Sequence, residues 1–356
     1  MTPRIDVALL GAGWIADRAY LPALIGHPAL RLIAIHDPVP ERAEQLAARC
    51  PGTRAVTDVA AALALAEASI VCAPAADHLA LLAACRDADH VTLCEKPVLR
   101  SAAELGALGA EGLARVMGSA TMRMRDDIAT LLGWVADGRL GALRRVRLAW
   151  WRHAGVPSPG SWRTRAACSP GGVLEDLGPH LLDIAAALVP DRGGRAATVQ
   201  ASELRRRGGA RTAGAAAAWF GGEAGGYDAP DYCRARLAVG GCELALELAW
   251  TDPDAGDRVV IEVDGEHGRA AFDGLLGFST DRRRPEQRCV LEAGGRTERR
   301  DFPVGPAVQH RAFAASLDRF AAVCRGEARP LSDGAEIAQV ARWIDQIRAA
   351  SLREAA

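Results

Sequence analysis

Ile5-Asp6-Val7-Ala8-Leu9-Leu10 runs without a break into Gly11-Ala12-Gly13-Trp14-Ile15-Ala16, and no other stretch limits the fold so tightly. A short apolar run that stops at glycine reads as a strand buried on both faces, which a parallel sheet covered by helices provides. The glycine spacing then asks for strand, tight turn and helix in that order. The N-terminal third keeps this rhythm. Strand-like runs at 30–36, 68–72, 91–94 and 115–117 alternate with helical ones, including 40–47, the segment carrying His78, and one opened by a Ser101-Ala102-Ala103-Glu104 capping box. Such alternation predicts an α/β fold with a doubly wound parallel sheet over residues 1–120.

The pattern changes near residue 120, and 356 residues exceed the usual size of one domain. After a helix at 126–136, strand-like runs at 144–151, 198–203, 234–239, 243–250, 258–264 and 269–273 follow with few helices between them. They predict a second α/β domain, residues 121–356, with an open and mostly antiparallel sheet. Helices return at 310–324 and 334–350. The Ala/Gly-rich stretch 208–226 has no assignment.

Composition excludes several classes. A formal net charge of −1 argues against nucleic acid or an anionic membrane as partner. Nine cysteines without a CxxC pair argue for reduced thiols and against a zinc site, so no metal is expected. No apolar run reaches the length of a membrane span. Met1-Thr2-Pro3-Arg4 leaves no room for a signal peptide, which predicts a cytoplasmic protein.

Three motifs carry chemistry. In Gly11-Ala12-Gly13-Trp14-Ile15-Ala16 the first glycine makes the turn and the second admits a pyrophosphate. The small third position lets helix and strand pack closely, and the helix N-terminus offers free N–H groups to phosphate. Asp37 ends the next strand. A carboxylate there accepts ribose hydroxyls and repels a 2′-phosphate, which favours NAD over NADP, with Arg42 as a counter-argument. Glu95-Lys96-Pro97 lies at the carboxyl edge of the sheet, where a lysine can stabilise alkoxide charge or simply pair with its neighbour. Asp176, His180 and Asp183 stand at i, i+4 and i+7, one helical face. Gly178-Pro179 either kinks that helix or starts a new one with Pro179 at N1. In the second case the macrodipole helps keep His180 neutral, as a base requires. Asp176 and His180 read either as a proton-transfer pair or as a capped helix with a satisfied histidine. His78 after Ala73-Pro74 reads as a structural cap or a cofactor contact, with the structural role favoured.

Together with Gly138-Arg139-Leu140-Gly141, Trp162-Arg163, Arg329-Pro330 and Asp333-Gly334, these motifs stand in an order that resembles the glucose–fructose oxidoreductase/inositol dehydrogenase (Gfo/Idh/MocA) family. The resemblance runs from residue 5 to the C-terminal helix. It implies an N-terminal Rossmann domain that binds NAD, with NADP disfavoured, and a C-terminal domain whose open sheet forms a homodimer or homotetramer. It places Gly11, Ala12, Gly13, Trp14, Ile15, Asp37, Ala73, Pro74, His78, Glu95 and Lys96 around the cofactor. Lys96 would orient the reacting hydroxyl, His180 would exchange its proton, and Asp176 would assist. Arg123, Trp162 and Arg163 would contact substrate, and Asp183 would support the site. The implied activity is oxidation of a secondary hydroxyl on a polyol, sugar, cyclitol or glycoside, or the reverse reduction; the composition bias suggests an antibiotic sugar. Two rivals remain at this point, an NAD-dependent glycosidase acting by transient oxidation and a non-catalytic NAD-binding sensor. Ala75 stands where the family often has asparagine, and Thr121-Met122-Arg123-Met124 lacks the family's aromatic.

Overall fold

The structure is a computed structural model that describes residues 3–152, 157, 160–190, 197–207, 228–250, 256–279 and 286–354. The Ala/Gly-rich stretch 208–226 lies outside the described residues. The chain divides into two compact units, Met1–Met124 with His310–Ala341, and Arg125–Gln309 with Arg342–Ala356.

In the first unit β1 (Ile5–Leu10) leads through a π-helical turn (Ala16–Tyr20) into α1 (Leu21–Leu24). Then come β2 (Leu30–His36), α2 (Pro40–Ala47), β3 (Arg54–Val56), α3 (Val59–Leu63), β4 (Ala68–Val71), α4 (His78–Asp87), β5 (Val91–Cys94), α5 (Ala102–Ala114) and β6 (Val116–Gly118). The six strands are parallel, in the order β3-β2-β1-β4-β5-β6. This is the doubly wound order, with its switch point between β1 and β4. β1, β2 and β4 run apolar because both faces are covered. Ala8, Leu10, Ala34, Val71, Leu82, Cys94 and Leu108 form one core cluster, joined by Ile337 and Ala341. Each large aliphatic side chain so buried contributes about 1.5–3 kcal/mol. Gly11 holds φ at +101°, and a Cβ there would come within 2.6 Å of Ala73 N. Only glycine lets the turn after β1 pass the end of β4 so closely.

The second unit contains α6 (Asp126–Ala136), β7 (Leu143–Trp151), α7 (Val173–Asp176), α8 (Gly178–Leu188), β8 (Thr198–Arg205), β9 (Tyr232–Val239), β10 (Cys242–Ala249), β11 (Arg258–Gly265), β12 (Gly268–Gly274), β13 (Glu286–Ala293) and β14 (Arg296–Pro303). These eight strands make one sheet ordered β14-β13-β12-β11-β7-β10-β9-β8. All neighbours are antiparallel except β7 and β10. Val146, Leu148, Trp150, Leu244, Leu246 and Leu248 are buried on one face. The alternate positions carry ion pairs, such as Arg145 with Glu243 at 3.1 Å and Arg147 with Glu262 at 3.0 Å. Arg125 is buried and pairs with both oxygens of buried Asp127, at 3.0 and 2.7 Å. Its Nη2 also donates to Leu275 O and Gln287 Oε1, fastening the start of α6 to β13 and the end of β12.

Two long helices follow, α9 (Pro306–Cys324) and α10 (Gly334–Glu354), and the division between units falls within each of them. Among the described residues, no helix is long and apolar enough to cross a membrane.

Candidate active site

In the first unit the cofactor candidates gather at the carboxyl ends of β1, β2, β4 and β5. Gly11 and Ala12 are buried, whereas Gly13 is exposed and a Cβ on it would meet nothing within 4 Å. Trp14 and Ile15 begin the following helix, half-buried. Asp37 is buried just after β2. Its Oδ2 accepts the Ala12 N–H at 2.9 Å and its Oδ1 the Val39 N–H at 3.0 Å. The carboxylate is thus locked beside the glycine turn, and Arg42 stands exposed in the first turn of α2. An open glycine step, a helix N-terminus and a fixed carboxylate on adjacent strands suit a dinucleotide's pyrophosphate and ribose.

Pro74 precedes a short 3₁₀ turn that leads into α4. His78 is fully buried. Its Nε2 faces Ala73 O at 2.9 Å and its Nδ1 faces Pro97 O at 2.8 Å, so the ring bridges the loops after β4 and β5. Glu95 is buried as well. Its Oε1 accepts from the Tyr20 and Ser119 hydroxyls, each at 2.8 Å, and its Oε2 accepts the Lys96 N–H at 3.1 Å. Lys96 follows, half-buried, with a cis peptide bond to Pro97. Arg123 is buried, and its Nη1 lies 3.0 Å from both oxygens of Glu336 on α10.

The second unit carries the other motif. Gly172 has φ +50°, and a Cβ there would overlap the Pro230 carbonyl oxygen. That close approach lets the Val173 N–H donate to Pro230 O at 2.9 Å and begins α7. Glu175 fixes the same turn. Its Oε1 accepts from Gly171 N and from Arg348 Nη1 of α10, both at 3.0 Å, and its Oε2 accepts from Ser169 Oγ at 2.8 Å. The helix does restart at Gly178, so Pro179 falls at its second position and His180 in its first turn. A proline N–H is not needed at that position.

Asp176 and His180 are half-buried among buried neighbours. Asp176 Oδ2 accepts from Trp250 Nε1 at 3.1 Å, and its Oδ1 lies 4.0 Å from Arg163 Nε. Arg163 stacks over Trp162 at 4.5 Å from the ring centroid. The His180 ring lies 5.7 Å from that of Trp150, tilted by 47°. Asp183 is buried one turn further along α8. The structure therefore brings Asp176, Arg163 and Trp162 together, and sets His180 against Trp150. Lys96 and Arg123 belong to the first unit. Trp250, Trp150, Glu175, Arg348, Tyr20 and Ser119 were not marked by sequence. The parallel pairing that sets Trp150 opposite Leu248, and so brings the ends of β7 and β10 together, is the long-range event that places the two indoles. Among the described residues, no group of three or more His, Cys, Asp or Glu could hold a metal ion.

Residues 5–114 match the family model described as "Oxidoreductase family, NAD-binding Rossmann fold", and residues 128–271 match "GFO/IDH/MocA C-terminal domain". A protein of Amycolatopsis mediterranei, named as a UDP-kanosamine synthase oxidoreductase subunit, is 31% identical over 308 residues, 84% of this chain and 83% of that one. The fold resembles the 3-ketoreductase KijD10 of Actinomadura kijaniata, solved with NADP and TDP-benzene, with a TM-score of 0.74 at 20% identity over 98% of both chains. It also resembles GenD2 of gentamicin A biosynthesis, solved with NAD, with a TM-score of 0.75 at 20% identity over 99% of this chain and 96% of that one.

Proposed function

The chain belongs to the Gfo/Idh/MocA oxidoreductase family, and from that membership we propose that it transfers a hydride between NAD and a secondary hydroxyl or keto carbon of a sugar. The observation that carries the reading is a count. Of 43 strongly basic side chains 42 are arginine, and the one lysine is Lys96 of Glu95-Lys96-Pro97. Arginine serves wherever a fixed positive charge suffices. Lysine remains at the one position where a compact, removable proton is useful.

Bound nicotinamide supplies the hydride acceptor or donor. Gly11, Ala12, Gly13, Trp14 and Ile15 would hold the pyrophosphate, and Asp37 would take the ribose hydroxyls. Asp37 is the reason for preferring NAD, since a 2′-phosphate beside its carboxylate is repelled. Lys96 donates to the reacting oxygen and offsets its developing negative charge. His180 takes the hydroxyl proton during oxidation and returns it during reduction. Asp176, held between Trp250 and Arg163, stabilises the imidazolium that forms on His180. Trp162 offers an apolar ring to a sugar face, beside the Arg163 guanidinium.

The substrate class follows the Amycolatopsis relative, whose name refers to a nucleotide-linked amino sugar. We place this protein in the cytoplasm as a homodimer or homotetramer, with the charged face of the eight-stranded sheet as its contact. The deciding experiment incubates the protein with UDP- and TDP-linked hexoses, free amino sugars and inositols, each with NAD or NADP, and follows reduced nicotinamide. Steady accumulation of NADH with a sugar supports the reading. Release of a free sugar or alcohol without net NADH formation overturns it in favour of a glycosidase.

A further inference from the structure

A buried polar cluster lies behind Lys96. Tyr20 is completely buried, with its hydroxyl 2.8 Å from Glu95 Oε1 and 2.9 Å from Ser119 Oγ. Ser119 Oγ donates to the same Glu95 oxygen at 2.8 Å. The remaining Glu95 oxygen accepts the Lys96 N–H. The three side chains come from three places in the chain. Tyr20 closes the π-helical turn, Glu95 follows β5, and Ser119 follows β6. Ser119 is itself anchored by its N–H to Cys94 O, and Glu95 by its N–H to Val71 O.

A buried carboxylate costs several kcal/mol unless donors surround it. Here two hydroxyls and an amide do so. Burial first, and the Glu95 charge second, push the Tyr20 phenol well above its ordinary range. Tyr20 therefore remains a hydroxyl donor at any working pH. Its ring is steadied edge-on against Phe313, with centroids 5.1 Å apart. On the other side of Lys96, His78 Nδ1 faces the Pro97 carbonyl. The backbone is thus held both at the lysine's own N–H and one residue later.

We infer that Tyr20 and Ser119 are positioning residues for Lys96, acting through the Glu95 carboxylate. They fix the point from which the flexible lysine side chain starts. The inference rests on the role proposed for Lys96 above, and its physical basis is the steep dependence of catalysis on placement. An error of about 1 Å at a reacting group costs on the order of a hundredfold in rate.

The test uses Tyr20→Phe, which keeps the ring on Phe313, together with Ser119→Ala and Glu95→Gln, in the full-length protein. With the sugar substrate, Tyr20→Phe lowers kcat about tenfold and leaves KM for NAD within about twofold. In a Glu95→Gln background the same substitution costs no more than about twofold, because both act through one carboxylate. A second readout needs no substrate. Lys96 is the only lysine in the chain, so acylation by an N-hydroxysuccinimide ester, followed on the Lys96 peptide, reports its amine directly. That rate changes about threefold or more in Tyr20→Phe and in Ser119→Ala. Unchanged kcat and unchanged acylation in both variants overturn the inference, as do fully additive losses with Glu95→Gln. Lys96→Ala separates the two claims. If it retains turnover the proposed catalytic role falls, while the acylation rates still decide the positioning.

Discussion

The indole N–H of Trp250 donates to Asp176 Oδ2 across 3.1 Å, joining residues 74 positions apart in the chain. Trp250 is fully buried just past β10, so the carboxylate is held by a group with no freedom to follow it elsewhere. Trp250→Phe keeps most of the packing and removes the donor. A hydrogen bond to a charged group is worth about 1.5–3 kcal/mol, so kcat falls roughly ten- to a hundredfold. KM for NAD stays near its original value, since Asp37 and the glycine turn are untouched. Steady-state kinetics on purified Trp250→Phe checks this, and unchanged kcat removes Trp250 from the site.

Asp37 is the charge that a 2′-phosphate would meet. Asp37→Ser leaves a small acceptor for Ala12 N–H and takes the charge away. The ratio of kcat/KM for NADP to that for NAD rises about tenfold or more. A ratio that does not move assigns cofactor choice to other residues, with Arg42 the next to vary.

His27 makes the first unit sensitive to acid. Its Nδ1 accepts the N–H groups of Ala29 and Leu30, both at 3.2 Å. Burial lowers its pKa below the ordinary 6.5, and the neighbouring Asp318 carboxylate only partly opposes that. The unfolded chain therefore binds this proton more readily than the folded one. Stability from the neutral ring is complete above the unfolded pKa and is lost as pH falls below it. His27→Asn retains an acceptor and cannot titrate. Between pH 7.5 and about 5.5 its Tm falls less than that of the parent. Equal slopes by scanning calorimetry would refute the assignment.

The thiols sort by burial. Cys168 is the only exposed cysteine of the nine. Burial pushes Cys242 to about 11 and both Cys289 and Cys324 to about 12. A disulfide reagent at about pH 8 needs thiolate, so it titrates one fast equivalent in the folded protein. Cys168→Ser abolishes that phase, and nine fast equivalents appear only in denaturant.

The first unit was readable because its signals are local. The run into Gly11 and the alternation after it depend on neighbours in the chain, and the structure keeps every strand expected there. β3 and α3 escaped because three and five residues are too short to show a period. The second unit was harder. β14 is an edge strand with mostly exposed residues, Arg296-Thr297-Glu298-Arg299-Arg300-Asp301, so no buried face imposed an apolar alternation on it. In β13 the buried positions include Gln287, which does not read as core by type. Asp176 and His180 were visible as a spacing. Their partners were not, because Trp250, Arg163 and Arg348 arrive through tertiary folding. The Gly178-Pro179 step also required the structure, since a kink and a fresh helix start share one sequence.

The π-helical turn at Ala16–Tyr20 has an arithmetic consequence. Such a turn holds one residue more than an α-helical turn in the same span. Each α-helical residue turns the chain by about 100°, so the insertion decides which side chain looks toward the end of β5. A single surplus residue near the start of the chain thereby sets the phase that brings the Tyr20 hydroxyl to Glu95.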